Sequence, residues 1–278
     1  MAAAQTLYWD TNGSTAGAGA SPSATWSTSN SDKNWTASSA GTSSGVVTWT
    51  SGGDAVFSAG TDATGNYAVS LSGTQNVSSI TVQEGSPTFS GGTFNFSDAT
   101  PDLTVNPGAT LNWGATALTS VTNTLNIGGG GLVNLALSGT FNGTINFSGG
   151  TLRLTNSTLG VGTLNITGNT TIDFAGSAST LNLSNLTISA GVTLNITNWA
   201  NATDYFYASN WTGATFDTTG TAPMNRVLFN GFTASNTRWQ GYDHQVTPVP
   251  EPAFSGAFLL GVLGAVFVWR RRHAPRDA

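Results

Sequence analysis

Residues 163–174 read TLNITGNTTIDF, two copies of one four-residue phrase separated by a turn. The phrase is a Thr, an apolar residue, a polar residue that is usually Asn, and a second apolar residue. It recurs from about residue 88 onward as TFNF (93–96), TLNW (110–113), TLNI (124–127), TINF (144–147), TLRL (151–154), TLNL (180–183) and TLNI (193–196). Every copy alternates with period two and is bounded by Gly, Ser or Asn clusters, the pattern of short half-buried strands between turns. No stretch of the body places apolar residues at i, i+3 and i+4. The body reads as all-β.

Spacing selects among all-β architectures. Neighbouring phrases begin 7 to 20 residues apart, irregularly, without the Trp–Cys core or Tyr corner of an immunoglobulin-type sandwich. Short strands, small turn residues and self-similarity predict a right-handed parallel β-helix, or solenoid, in which each coil stacks on the next. A β-sandwich or jelly roll is the second reading. In a solenoid Leu125, Ile127, Leu164, Ile166, Leu194 and Ile196 point inward together, and Asn and Thr form ladders at equivalent positions of successive coils.

Composition narrows the function. The chain has 278 residues, of which 8% are charged, against about 25% in an ordinary soluble domain. Over residues 1–249 eleven acidic side chains face only Lys33, Arg153, Arg226 and Arg238. Four scattered cations cannot neutralise a phosphate backbone, which excludes nucleic acid as a partner. With no cysteine, thiolate chemistry and Cys-based metal sites are absent.

The carboxyl end has a different character. Ala253 to Trp269 (AFSGAFLLGVLGAVFVW) is an uncharged run of 17 residues, followed at once by Arg270, Arg271 and Arg272. As a helix it reaches the short edge of what spans a hydrocarbon core, and the arginines place its far end in the cytoplasm. Just before it stand Pro250, Glu251 and Pro252, where two prolines disfavour helix and sheet. Pro-Glu-Pro, an apolar span and a terminal arginine cluster, in that order, closely resemble the PEP-CTERM sorting signal of Gram-negative bacteria. The resemblance implies an exosortase as partner, a membrane transpeptidase that cuts near Pro250–Pro252 and removes the helix. It also implies an exported chain, anchored first in the inner membrane and then passed to the cell surface or matrix. At the amino end Met1–Gln5 lacks the charged and apolar parts of a leader, and we read Ala2–Ala4 as the remnant of a cleaved one behind an added Met.

Two aromatic-rich blocks flank the repeats. YWDTNG (8–13), TWSTSNSDKNW (25–35) and VTWTSGGDAVFS (47–58) crowd Trp9, Trp26, Trp35, Trp49 and Phe57 together. These blocks resemble the opening of bacterial proteins with autotransporter-associated β-strand repeats, over about residues 7–200, a family with no catalytic residues to carry over. Residues 204–246, with Tyr205, Tyr207, Trp211, Phe216, Trp239 and Tyr242 around NRVLFNGF (225–232), form the second block. The division expected is an N-terminal cap at 1–60, solenoid at 61–203, a C-terminal cap at 204–247 and the sorting segment at 248–278. The alternative for the tryptophans is an outward row of stacking platforms holding exopolysaccharide, as in a carbohydrate-binding module.

Catalysis finds little support. Lyases and glycosidases need paired carboxylates, or carboxylates beside cations. The repeats offer Asp98 and Asp102, flanking Pro101 in a turn, and Asp173 with Arg153, with Asp173 expected on the outward face of its strand. His244 follows Asp243, while His273 lies beyond the arginines, so the two histidines cannot share a site. Asp10, Asp32, Asp54 and Asp62 are too scattered for a calcium loop, and the glycines at 128–131 precede neither a Lys nor a helix. Asn-x-Ser/Thr triplets at Asn142, Asn146, Asn165, Asn182 and Asn195 arise from composition alone. The expectation is an exported non-enzymatic structural protein with no catalytic, metal or cofactor site.

Overall fold

A computed structural model describes residues 4–249 apart from 30, 43–44, 115–116, 119–123, 137 and 177. The sorting residues Pro250, Glu251 and Pro252, the apolar run 253–269 and Arg270–Arg272 lie outside the described residues. Among the described residues no helix is long and apolar enough to cross a membrane. Helical structure there amounts to two 3-10 turns, Met224–Arg226 and Ala234–Asn236.

Two parallel sheets form the body. The first runs through Thr6–Trp9, Gly53–Phe57, Thr74–Val82, Asp102–Val105, Thr124–Gly128, Gly139–Phe147, Thr158–Ile166, Thr180–Ile188 and Tyr205–Trp211. The second runs through Ala24–Trp26, Asn66–Leu71, Ser86–Ser90, Thr110–Trp113, Leu132–Leu135, Gly150–Leu154, Thr170–Asp173, Leu194–Thr197 and Val227–Phe229. The chain alternates between them coil by coil, with Thr93–Phe96 and Ala117–Leu118 as additional parallel strands of the first sheet, so the protein is an all-β parallel solenoid. Among the described residues every pairing within 110–200 is parallel.

Between Gly53 and Trp211 equivalent residues of successive coils lie 19 to 25 positions apart, while longer insertions separate the outermost strands, as between Ala24 and Val69 or Leu194 and Val227. The repeated phrase occurs on both sheets, TLNI of 163–166 on the first and TIDF of 171–174 on the second, which is why its spacing looked irregular. Its apolar residues face inward as expected: Leu125, Ile127, Leu164, Ile166, Leu194 and Ile196 are all buried. The nine-residue strands of the first sheet also turn a corner. In Thr158–Ile166 the inward residues are Leu159 and Val161, then Leu164 and Ile166, so that Gly162 and Thr163 both face out. The same shift of phase occurs at Ser184 and Asn185 one coil on.

The polar member of the phrase forms ladders. Asn126 Nδ2 donates to Asp102 Oδ1 (2.9 Å), Asn146 to Asn126 (2.9 Å) and Asn165 to Asn146 (3.0 Å). A carboxamide donates at one end and accepts at the other, so a column of Asn satisfies itself along the solenoid axis. Asp102, which only accepts when ionised, begins this column. It opens a strand rather than sitting in the solvated turn that SDATPDL suggested, because its backbone pairs with Asn126 of the next coil.

Both ends of the stack are covered, as an open sheet edge would otherwise pair with other chains. Trp35–Thr36 lies antiparallel along Thr6–Trp9 at the start. At the finish a hairpin pairs Thr237–Trp239 with Val246–Pro248. Ala208 N–H donates to the His244 carbonyl (3.0 Å) and Thr237 Oγ1 to the Val227 carbonyl (2.6 Å), engaging the last strand of each sheet. The flanking blocks thus contribute strands to the sheets as well as covering segments.

Candidate functional site

The tryptophans face inward. Trp9, Trp26, Trp35 and Trp49 are buried, and Trp26 packs against Trp35, Trp49, Phe57, Phe89 and Phe94 with ring centroids 4.9 to 6.4 Å apart. Most of these pairs meet edge to face, the arrangement the ring quadrupole favours. Trp9 Nε1 donates to the Pro22 carbonyl (2.6 Å) and Trp49 Nε1 to that of Asn76 (3.1 Å), so these indoles bury their polar edge without loss. Trp113, Trp211 and Trp239 are buried too. An outward row of tryptophan platforms is therefore absent from the described residues, and the first aromatic block is core.

The candidate catalytic groups do not converge. Arg153 Nε donates to Asp173 Oδ2 at 2.8 Å across adjacent coils of the second sheet. Asp173 occupies an outward register position but is only 4% exposed, because Arg153 and Asn198 cover it. Burial pushes its carboxyl up, while Asn198, the Ala175 amide and Arg153 together hold it below the usual carboxylate range. A carboxylate committed to three donors is a structural anion. Asp98 accepts from Ser78 Oγ and Asp102 from Asn126, both on the first sheet. His244 stacks on Phe216 (5.3 Å), and Asp243 accepts from the Gln245 amide (3.0 Å). Asp10 is fully buried, and burial raises its carboxyl against the pull of the Asn12 and Gly13 amides. Among the described residues no three His, Cys, Asp or Glu side chains gather as metal ligands.

What the fold does assemble is a trough on the outer surface of the first sheet. It spans four coils, encloses about 570 Å³ and is lined by uncharged groups. The pairing aligns Thr140, Gly160, Asn182 and Tyr207 in one outward column. Asn142, Gly162, Ser184 and Ser209 line it on one side and Thr158 on the other. Gly160 and Gly162 make the floor, between rims formed by Thr140 and Asn142 of one coil and Asn182 and Ser184 of another. A Cβ on Gly162 would lie 2.2 Å from the Asn142 carbonyl oxygen, so coil stacking there requires glycine. At the C-terminal end the columns finish in Tyr205 and Tyr207, whose rings lie 5.8 Å apart and within 4° of parallel. Tyr242 of the covering segment is 82% exposed. Burial raises the Tyr207 hydroxyl, aided by Asp243, Tyr205 and Tyr242. Sequence reading passed over this feature, because Gly160, Asn182 and Tyr207 become neighbours only once the coil length is known.

The fold and its faces define a parallel β-solenoid with a sparsely charged surface. Over 157 residues, 56% of this chain, the sequence is 33% identical to the Adhesin BmaC autotransporter of Brucella suis biovar 1 (strain 1330). The match takes in 4% of that protein's length. No family model matches the chain. No solved structure matches it either.

Proposed function

We propose that this chain is an exported, non-enzymatic protein of the cell surface or extracellular matrix, wound as a right-handed β-helix and sorted through residues 248–278. The observation that carries the reading is the use made of its polar groups. The acid–base candidates are spent on ladders, turns and one half-buried ion pair, and the outer walls present a ruled surface of amides and hydroxyls. Such a surface suits display and adhesion rather than proton transfer, which needs a carboxylate or imidazole poised beside a reacting atom. The likeness to an autotransporter adhesin supports a surface location.

Pro250, Glu251 and Pro252 are the recognition element for an exosortase, residues 253–269 the transient inner-membrane anchor, and Arg270–Arg272 the cytoplasmic stop. Exopolysaccharide of the matrix is the partner. Fractionation of the native host with mass spectrometry of the envelope and medium tests this. The expected species is surface-exposed and ends near Pro250–Pro252, without the Arg270–Arg272 segment. Recovery of the chain in the cytosol would refute the reading, and a surface form retaining His273–Ala278 would refute the cleavage alone.

A further inference from the structure

We infer that the trough over Gly160 and Gly162, with Tyr207 at its end, is the binding site for a neutral polysaccharide chain lying along the solenoid axis. The inference rests on the reading of the chain as an exported surface protein and supplies that reading with a ligand-binding site.

Four features of the trough point to this chemistry. Its polar lining consists of hydroxyls and carboxamides, from Thr140, Asn142, Thr158, Asn182, Ser184 and Ser209, set beside glycine backbone and the edges of Val161 and Leu183. These groups both donate and accept, as sugar hydroxyls do, so they pair with a glycan in more than one orientation. The lining holds no charged side chain, so it offers nothing to a uronate, a phosphate or a cationic peptide. The trough lies across paired strands, with no free sheet edge to which a peptide could add itself as a strand. Finally, the aromatic Tyr205–Tyr207 pair stands at its end, in register with Thr180 and Asn182. An aromatic face stacks well on the C–H face of a pyranose, and a tyrosine does so while keeping its hydroxyl wet.

The dimensions agree. Coils repeat every ~4.8 Å, so four of them span roughly 14 Å, the length of a short run of sugar rings. The glycine floor is what lets a ring descend between the rims. The ligand runs along the axis because the lining comes from four successive coils: one ring seats over the glycines, and its neighbours lie over Thr140 with Asn142 on one side and Asn182 with Ser184 on the other. Affinity from a few exposed polar contacts and one stacked ring is modest per chain, and a surface carrying many copies multiplies it.

The test uses the purified chain and a panel of cellohexaose, mannohexaose, maltohexaose and hexagalacturonate, followed by isothermal titration calorimetry. Saturable binding of at least one neutral hexasaccharide is expected, with hexagalacturonate bound at least tenfold more weakly. For that ligand Tyr207→Ala weakens binding about tenfold, a loss of about 1.4 kcal/mol. Asn182→Ala, at an exposed position that leaves folding intact, weakens it several-fold. Gly160→Val fills the floor and abolishes it; Thr171→Ala, on the other sheet, leaves it unchanged. Each variant is first checked for an unaltered circular dichroism spectrum. Failure of all three neutral hexasaccharides to bind, equal binding of hexagalacturonate, or full binding by both Tyr207→Ala and Asn182→Ala overturns the assignment. Such a failure leaves the host fractionation result untouched, so loss of the site and loss of the surface reading are separable.

Discussion

Replacing Leu164 by Asp probes the inward and outward faces of the solenoid more sharply than any truncation. Leu164 is 1% exposed and stacks between Ile145 and Leu186 of the adjacent coils. Removing the leucine side chain from such a site costs about 2–5 kcal/mol through lost transfer and an unfilled cavity. The new carboxyl would have no partner and would be driven to its neutral form. Holding it neutral at pH 7, roughly three pH units above its ordinary value, costs about 4 kcal/mol more. The total rivals the whole stability of a typical domain, about 5–15 kcal/mol.

The pH dependence has a definite sign. The folded-state value of the introduced carboxyl is raised, so the electrostatic part of the penalty is absent below about pH 4 and grows as pH rises toward 7. Thr163→Asp, one position away and facing out, should cost less than about 1 kcal/mol. Urea unfolding followed by tryptophan fluorescence at pH 4 and pH 7 measures both variants. A Leu164→Asp cost below about 1 kcal/mol, or equal costs at 163 and 164, would refute the facing assigned to this strand.

Other perturbations test separate parts of the fold. Gly162→Ala places a methyl 2.2 Å from the Asn142 carbonyl oxygen, so it should lower stability by about 1–3 kcal/mol by prising two coils apart, read as an earlier urea midpoint. Trp26→Ala removes the ring at the hub of the aromatic core and should cost about 3–5 kcal/mol, with collapse of the near-ultraviolet circular dichroism signal. Arg153→Ala strips the ion pair from Asp173 and should cost about 1 kcal/mol near neutral pH. Because the Asp173 carboxyl is held low in the folded state, that contribution is present above the ordinary carboxylate range and fades as pH falls through the lowered value. The variant and the parent should therefore converge in acid, and a difference that persists unchanged to pH 2 would contradict the cause given for the low value.

The fold was legible in the sequence because the apolar residues of the repeated phrase alternate, and alternation alone assigns Leu164 and Ile166 to the core. Coil length was not legible. The same phrase serves both sheets, so the interval from Thr163 to Thr171 crosses from one sheet to the other while that from Thr144 to Thr163 is a full coil. Without the coil length no reader could place Gly160 beside Thr140 and Asn182, and the trough stayed hidden. Asp173 shows a related limit. Its outward position followed from the phrase, but its burial under Arg153 and Asn198 comes from side chains one coil away on either side. The first aromatic block was open to two readings, because composition does not tell a tryptophan packed in a core from one presented to a sugar. The burial of Trp9, Trp26, Trp35 and Trp49 against one another decides for the core, with the Trp9 and Trp49 indoles bonded to backbone carbonyls.

Parallel, in-register stacking is the claim on which the ladders, the trough and the surface display all depend. The chain has no cysteine, so an introduced pair reports on geometry without interference. Asn146 and Asn165 are register partners on adjacent coils, and neighbouring strands lie about 4.8 Å apart, within reach of a disulfide. Oxidation of the Asn146→Cys, Asn165→Cys double variant should close the bond nearly completely, as read by mass spectrometry under non-reducing conditions. The pair Asn146→Cys with Leu164→Cys, whose second member faces the core, should remain reduced. Cross-linking of the second pair in preference to the first would contradict the stacking.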